Sequence, residues 1–202
     1  FIVLFAFVGT LANAQAYKKL HFRSIVVDTH NDILTTAVDK HYSIDQDLSG
    51  KTNSDLERWK KGGVDVQLFS IWCDGLKIKP WAWANLEMDT LFAVVKRNPN
   101  KIKMVGNPAE LLQAVKEKKL AAMFGVECGH MIENDLSKLD SFYKRGVRYM
   151  NLTWNNSTVW ANSALDARTG GYSLKHKGLP AFRKRVVKRM NELGMMVDLS
   201  HV

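Results

Sequence analysis

Apolar residues along the chain fall into two alternating rhythms. Short runs rich in β-branched and aromatic residues recur over 24–28 (SIVVD), 64–72 (VDVQLFSIW), 120–127 (LAAMFGVE), 148–154 (RYMNLTW) and 195–201 (MMVDLSH). Each reads as a strand. Between them, residues 54–61, 81–97, 108–118, 136–145 and 179–193 space their apolar positions as helices do. The last helix opens with Pro180 in its first turn and stops at Gly194, the expected start and stop chemistry. Gly62-Gly63 and Gly146 likewise follow helices and precede strands, as C-caps do.

Strand–helix alternation predicts a parallel α/β sheet. No G-x-G-x-x-G follows the first strand, which argues against a dinucleotide-binding open sheet. Polar residues gather instead at the C-terminal ends of several strands, where a (β/α)8, TIM-like barrel keeps its chemistry. Such a barrel needs eight strands and about 250 residues. Five strand–helix units are visible here and the chain stops on a strand end, at DLSHV. The expected fold is therefore an α/β barrel truncated after about five strands. The 202 residues alone are expected to be inactive, because unpaired strand edges and uncovered helix faces invite aggregation.

Residues 1–16 (FIVLFAFVGTLANAQA) stand apart as an apolar run followed by small-residue cleavage candidates at Ala12-Asn13-Ala14 and Ala14-Gln15-Ala16. This is a signal-peptide pattern and predicts export to a periplasmic or extracellular compartment. The run is shorter than the roughly 20 residues of a comfortable membrane span. Residues 17–202 then form the N-terminal part of a single catalytic barrel domain. Charged residues at 24% and hydrophobic ones at 46% are ordinary for a globular chain. The net charge of +9 draws on runs such as Lys116–Lys119 and Arg183–Arg189, both on helical patterns, and these read as solvated helix faces. Without a zinc-finger spacing or an aromatic-interleaved basic strand, no nucleic-acid partner is expected. Two cysteines, Cys73 and Cys128, are enough for one disulfide in an exported protein, but sequence does not say whether they meet.

The chemistry concentrates in DTHNDIL, residues 28–34. Side chains two apart in an extended segment project to the same face, so His30 and Asp32 can act together. One imidazole nitrogen and one carboxylate oxygen are ligands suited to zinc, and such a pair also occurs as a plain hydrogen-bonded loop pair. Two other strand ends strengthen the metal reading. Glu127 follows the apolar run of the third strand, where an unpartnered carboxylate would be costly, and His201 ends the fifth. A glutamate can bridge two metals about 3.5–4 Å apart, and metal-bound water ionises near neutral pH. His30, Asp32, Glu127 and His201 would make most of a two-metal hydrolase centre.

At these residues the sequence resembles the renal (membrane) dipeptidase family of zinc peptidases. The stretches that carry the resemblance are DTHNDIL (28–34), GGVDVQLFSIW (62–72), GVECGH (125–130), LSKLDSFYKRGVRYMNLTWNNSTVWANSA (136–164) and GLPAFRKRVVKRMNELGMMVDLSHV (178–202). Their order and separation match over essentially the whole mature chain. The resemblance implies a (β/α)8 barrel with two zinc ions that hydrolyses dipeptides through a metal-bridging hydroxide. It also implies that His30 and Asp32 bind the first zinc, Glu127 bridges, and His201 binds the second. Glu127 is thus both metal ligand and catalytic. The sequence departs from the family at Trp154, where a substrate-contacting His is usual after the fourth strand. The family's last zinc-ligand His, its substrate Arg and its proton-transferring Asp would fall beyond Val202. Dipeptides are the expected substrates, and a homodimer is an open expectation. Two alternatives stay in view: another binuclear amidohydrolase-type barrel, and a non-catalytic or truncated homologue.

Smaller signals complete the reading. Trp154, Asn155 and Trp72 are the candidate substrate-pocket residues, with Trp81, Trp83 and Trp160 more suited to packing. Asp28 shares the face of His30 and is read either as an acceptor that orients the ring or as a plain structural hydrogen-bond partner. His130 is read as a loop residue or one that supports the metal ligands from behind, and Asp198 is left out of the metal site. The N-x-S/T triplets at Asn151, Asn155 and Asn156 are read as fortuitous, since all crowd the predicted barrel mouth.

Overall fold

The computed structural model describes residues 16–171 and 181–202. The signal-peptide reading over 1–15, the helix start at Leu179-Pro180 and His176 lie outside the described residues. After a helical segment over 16–21 (α1), the order is β1 (Val27–Asn31), α2 (Ile33–Lys40), α3 (Leu56–Gly62), β2 (Val66–Ile71), α4 (Pro80–Arg97), β3 (Ile102–Met104) and α5 (Pro108–Lys116). The chain continues with β4 (Leu120–Val126), a 3-10 turn (Gly129–Ile132), α6 (Leu136–Lys144), β5 (Val147–Asn151), α7 (Ala164–Thr169), α8 (Ala181–Leu193) and β6 (Met196–Asp198). Side-chain caps start several helices: Asp55 accepts from Arg58 N–H at 2.9 Å and Asn107 from Glu110 N–H at 2.9 Å.

All strand pairs are parallel and the sheet runs β1-β2-β4-β5-β6, so the strands on this path keep their sequence order. With helices packed on one side, this is an α/β half-barrel. β2 is buried along its whole length and β4 at every residue but Met123, which is why both are dominated by apolar residues, Gln67 and Ser70 of β2 excepted. Alternation along β4 divides its side chains. Leu120, Ala122, Phe124, Val126 and Cys128 enter the helix-covered core with Phe69, Met88, Leu91 and Phe142. Ala121 and Met123 join a smaller cluster with Val66, Leu68 and Tyr149. Glu127 falls on this second parity, away from the helix-covered core.

Three elements correct the sequence reading. β3 adds a strand along the first residues of β4, so the described sheet has six strands rather than five. β1 covers 27–31, not 24–28, so His30 lies inside the strand. Asp32 has already left it as the N-cap of α2, a helix not foreseen because Thr35, Thr36 and Val38 weaken the local helix signal. Cys73 and Cys128 do meet, as buried free thiols in mutual hydrogen-bond contact, and that contact together with burial raises the Cys73 pKa well above the thiol range.

Candidate metal centre

Three strand ends place the polar cluster. Glu127, 8% exposed, follows the last residue of β4 and hydrogen-bonds back to β2 through its amide on Ile71 O at 3.0 Å. Its two carboxylate oxygens face different imidazoles: Oε2 lies 3.0 Å from His30 Nε2 and Oε1 lies 3.1 Å from His201 Nε2. The Ser70 hydroxyl, from β2, donates to Oε2 at 3.3 Å. Asp32 Oδ1 is 3.3 Å from the same His30 Nε2. Ligand atoms of His30, Asp32 and Glu127 lie within 4.8 Å of one another. The pair meets because the chain turns into α2, not because both side chains project from one extended strand.

The second ring nitrogen of each imidazole is already engaged. His30 Nδ1 is 3.2 Å from the Tyr149 hydroxyl, which in turn reaches Thr29 O at 3.4 Å. His201, in the left-handed turn after β6 with φ 66°, sets Nδ1 3.0 Å from Asn155 Oδ1, an atom that can only accept. With Nδ1–H donating in each case, both Nε2 lone pairs and the carboxylates of Asp32 and Glu127 converge. Only a proton or a cation between them removes the repulsion. Without a metal the proton is held tightly: hydrogen bonding to Asp32, then to Glu127, outweighs burial and lifts the His30 pKa to about 10. Burial opposes ionisation of Asp32, but His30 and Ser70 still draw its carboxyl below the usual range. Two imidazoles and two carboxylates are a donor set that suits zinc, and the split of Glu127 suits a bridging role.

Of the two readings for Asp28, the plain structural hydrogen bond is the one the geometry shows. Its Oδ1 accepts from the His30 backbone N–H at 3.2 Å, and the ring is held by Tyr149. Tyr149 was missed, although Gly125 gave a signal: it pairs with Tyr149 in register, and a Cβ there would lie 1.8 Å from the Tyr149 Cζ. Asn155 binds His201 rather than standing free in a pocket. Trp72 and Trp154 pack edge-to-face, centroids 5.1 Å apart, and with Asp32, Thr35, Thr36 and Glu127 they line a cavity of about 270 Å³. A second cavity of about 510 Å³ opens on His30, Glu127, Tyr149, Asn151 and His201. His130 turns away, bonded to Cys128 Sγ at 3.0 Å and Ser157 O at 3.1 Å, and Asp198 accepts from Ser200. Asn151 is 1% exposed, with no room for a glycan.

A parallel α/β half-barrel with imidazoles and carboxylates converging at its strand ends is an arrangement that metal-dependent hydrolases use. The chain belongs to the membrane dipeptidase family, Peptidase family M19, whose model matches residues 14–202. Dipeptidase 3 of Mus musculus is 35% identical over 184 residues, which is 87% of this chain and 36% of that protein. Dipeptidase 3 of Homo sapiens is 34% identical with the same coverage. The chain thus spans 36% of the length of these relatives. Among solved structures, the dipeptidase AC, a metallo peptidase of family M19, superposes with a TM-score of 0.76 at 23% identity, covering 88% of this chain and 56% of that one. A metallo peptidase from Rhodobacter sphaeroides, liganded with a phosphinate mimic of the dipeptide L-Ala-D-Ala, gives 0.72 at 20% identity, covering 88% and 59%. These likenesses establish the fold.

Proposed function

We propose that this chain carries most of the metal site of an exported, zinc-dependent dipeptidase. The observation that supports it most strongly is the division of Glu127, one oxygen to each of two imidazoles from different strand ends. His30 and Asp32 would hold one zinc ion, His201 the other, and Glu127 both. Bound there, the two ions would supply Lewis acidity and an activated water for attack on a peptide carbonyl.

The remaining residues orient and enclose. Tyr149 and Asn155 fix the two imidazole rings so that each Nε2 faces Glu127. Trp72 and Trp154 form an aromatic wall beside Asp32 and Glu127, where apolar surface excludes water from the substrate. Trp154 offers only an indole N–H, so it contributes shape rather than charge. A small cavity beside the metal donors fits a short substrate such as a dipeptide. Export rests on the signal-like pattern of residues 1–16.

The test is zinc analysis of the full-length protein with a substrate panel of dipeptides, N-acyl amino acids and phosphoesters. Two zinc ions per chain and cleavage confined to dipeptides are expected. Cleavage of another class, or no zinc, overturns the assignment.

A further inference from the structure

Helix α4 buries a face of Ala84, Met88, Leu91 and Val94, and among these apolar residues lies Glu87 at 0% exposure. A buried carboxyl without a cation is costly. Burial lifts its pKa to about 8 against the pull of Thr35 and Trp72. Its hydrogen bonds show what it touches. The Thr35 hydroxyl donates to Oε1 at 2.6 Å and the Trp72 backbone N–H donates to Oε2 at 2.9 Å. Both donors line the small cavity that also contains Asp32, Glu127 and Trp154.

Trp72 is the first residue after β2, where its N–H and C=O leave the sheet ladder. One helix recovers both: Glu87 takes the N–H, and Trp83 Nε1–H donates to the carbonyl at 2.9 Å. Residues 83 and 87 are four apart, one above the other on the same face of α4. The peptide of Trp72 is held at both ends, and its indole is thereby aimed at Trp154. Thr35 stands one helical turn after Asp32, so the same carboxyl also ties α2 to this wall.

We propose that Glu87 is a positioning residue for the aromatic wall of the cleft, fixing Trp72 and Thr35 so that the wall grips substrate while leaving the metal donors untouched. This rests on the dipeptidase reading only for its kinetic consequence. Glu87→Gln keeps an acceptor for Trp72 and can donate to Thr35 Oγ1, whereas Glu87→Leu and Glu87→Met leave both without a partner.

In the full-length protein, the two apolar variants should raise KM for a dipeptide about tenfold, the worth of one or two buried hydrogen bonds. Their kcat should stay within about threefold and zinc content should not change, while Gln should match wild type within about twofold. The circular-dichroism couplet of the Trp72–Trp154 pair, assigned with Trp154→Phe, should weaken in Leu and Met and persist in Gln. An unchanged KM and couplet in the apolar variants, a loss of zinc in them, or a Gln variant as impaired as they are, would each overturn the proposal. If the wild-type protein cleaves no dipeptide, the dipeptidase reading fails, and the couplet still decides the role of Glu87.

Discussion

Replacing Glu127 by Gln changes one atom where three donors meet, and its effect follows from the contacts. The carboxylate presents an oxygen to His30 Nε2 at 3.0 Å and another to His201 Nε2 at 3.1 Å. An amide offers one oxygen and one NH2, so one imidazole faces a donor instead of an acceptor. In the metal-free protein this removes a charge-assisted hydrogen bond, worth about 1.5–3 kcal/mol when buried. His30 is 38% exposed and keeps Asp32, so about 1–2 kcal/mol is the reasonable figure. The larger effect is on metal. Losing a contact that merely orients a ligand weakens binding about 10–100-fold, and a direct ligand should lose at least that. At zinc one hundred times the wild-type dissociation constant, binding stabilises the protein by about 2.7 kcal/mol. A hundredfold weaker variant gains only about 0.4 kcal/mol at the same concentration. The assay is a pair of thermal melts, apo and with zinc, backed by competition against a chromophoric chelator. Each kcal/mol moves the midpoint by about 2–4 °C in domains of 150–250 residues, and less in longer chains. A zinc-induced shift as large in Glu127→Gln as in wild type would refute the bridging assignment.

Other tests read the same cluster from different sides. Because His30 has a folded-state pKa of about 10, above its usual 6.5, its contribution to the stability of the metal-free protein is complete below pH 6.5 and lost as pH rises through about 10. Denaturant titrations in chelator from pH 6 to 10 should show that decline, and His30→Gln should flatten it. Glu87 holds its proton up to about pH 8 in the folded state, against 4.5 normally, so wild-type stability should fall between those values. Denaturation of Glu87→Gln beside wild type at pH 5 and pH 9 should then show a growing advantage for Gln. Gly125→Ala would drive a Cβ into the Tyr149 ring, and overpacking of this kind lowers stability by about 1–3 kcal/mol. Tyr149→Phe, which keeps the ring and removes the hydroxyl on His30, should weaken zinc by about tenfold in the chelator assay with little change in stability.

Strand identity was legible where burial is two-sided. β2 and β4 lie between neighbours and under helices, so most of their residues are apolar and the runs stand out. β3 was not legible, since three residues containing Lys103 carry no alternation to read. α2 was hidden because Thr35, Thr36 and Val38 weaken its local helix signal. His30, Asp32, Glu127 and His201 showed themselves because an ionisable residue at the end of an apolar run needs a partner. Tyr149, Ser70 and Glu87 did not: an aromatic, a hydroxyl and a helical glutamate are ordinary at such spacings.

From its residues alone, this chain determined the parallel alternation of strand and helix, the positions of its chemically committed side chains and their likeness to a peptidase family, because these depend on local periodicity and residue type. The tertiary structure alone decided that Glu127 divides its oxygens between His30 and His201, that Tyr149 and Asn155 hold the rings, and that Asp28 does not. Those are distances between segments as much as 119 positions apart, between His30 and Tyr149. They are fixed only when parallel strands lie side by side in register and bring their ends to one place.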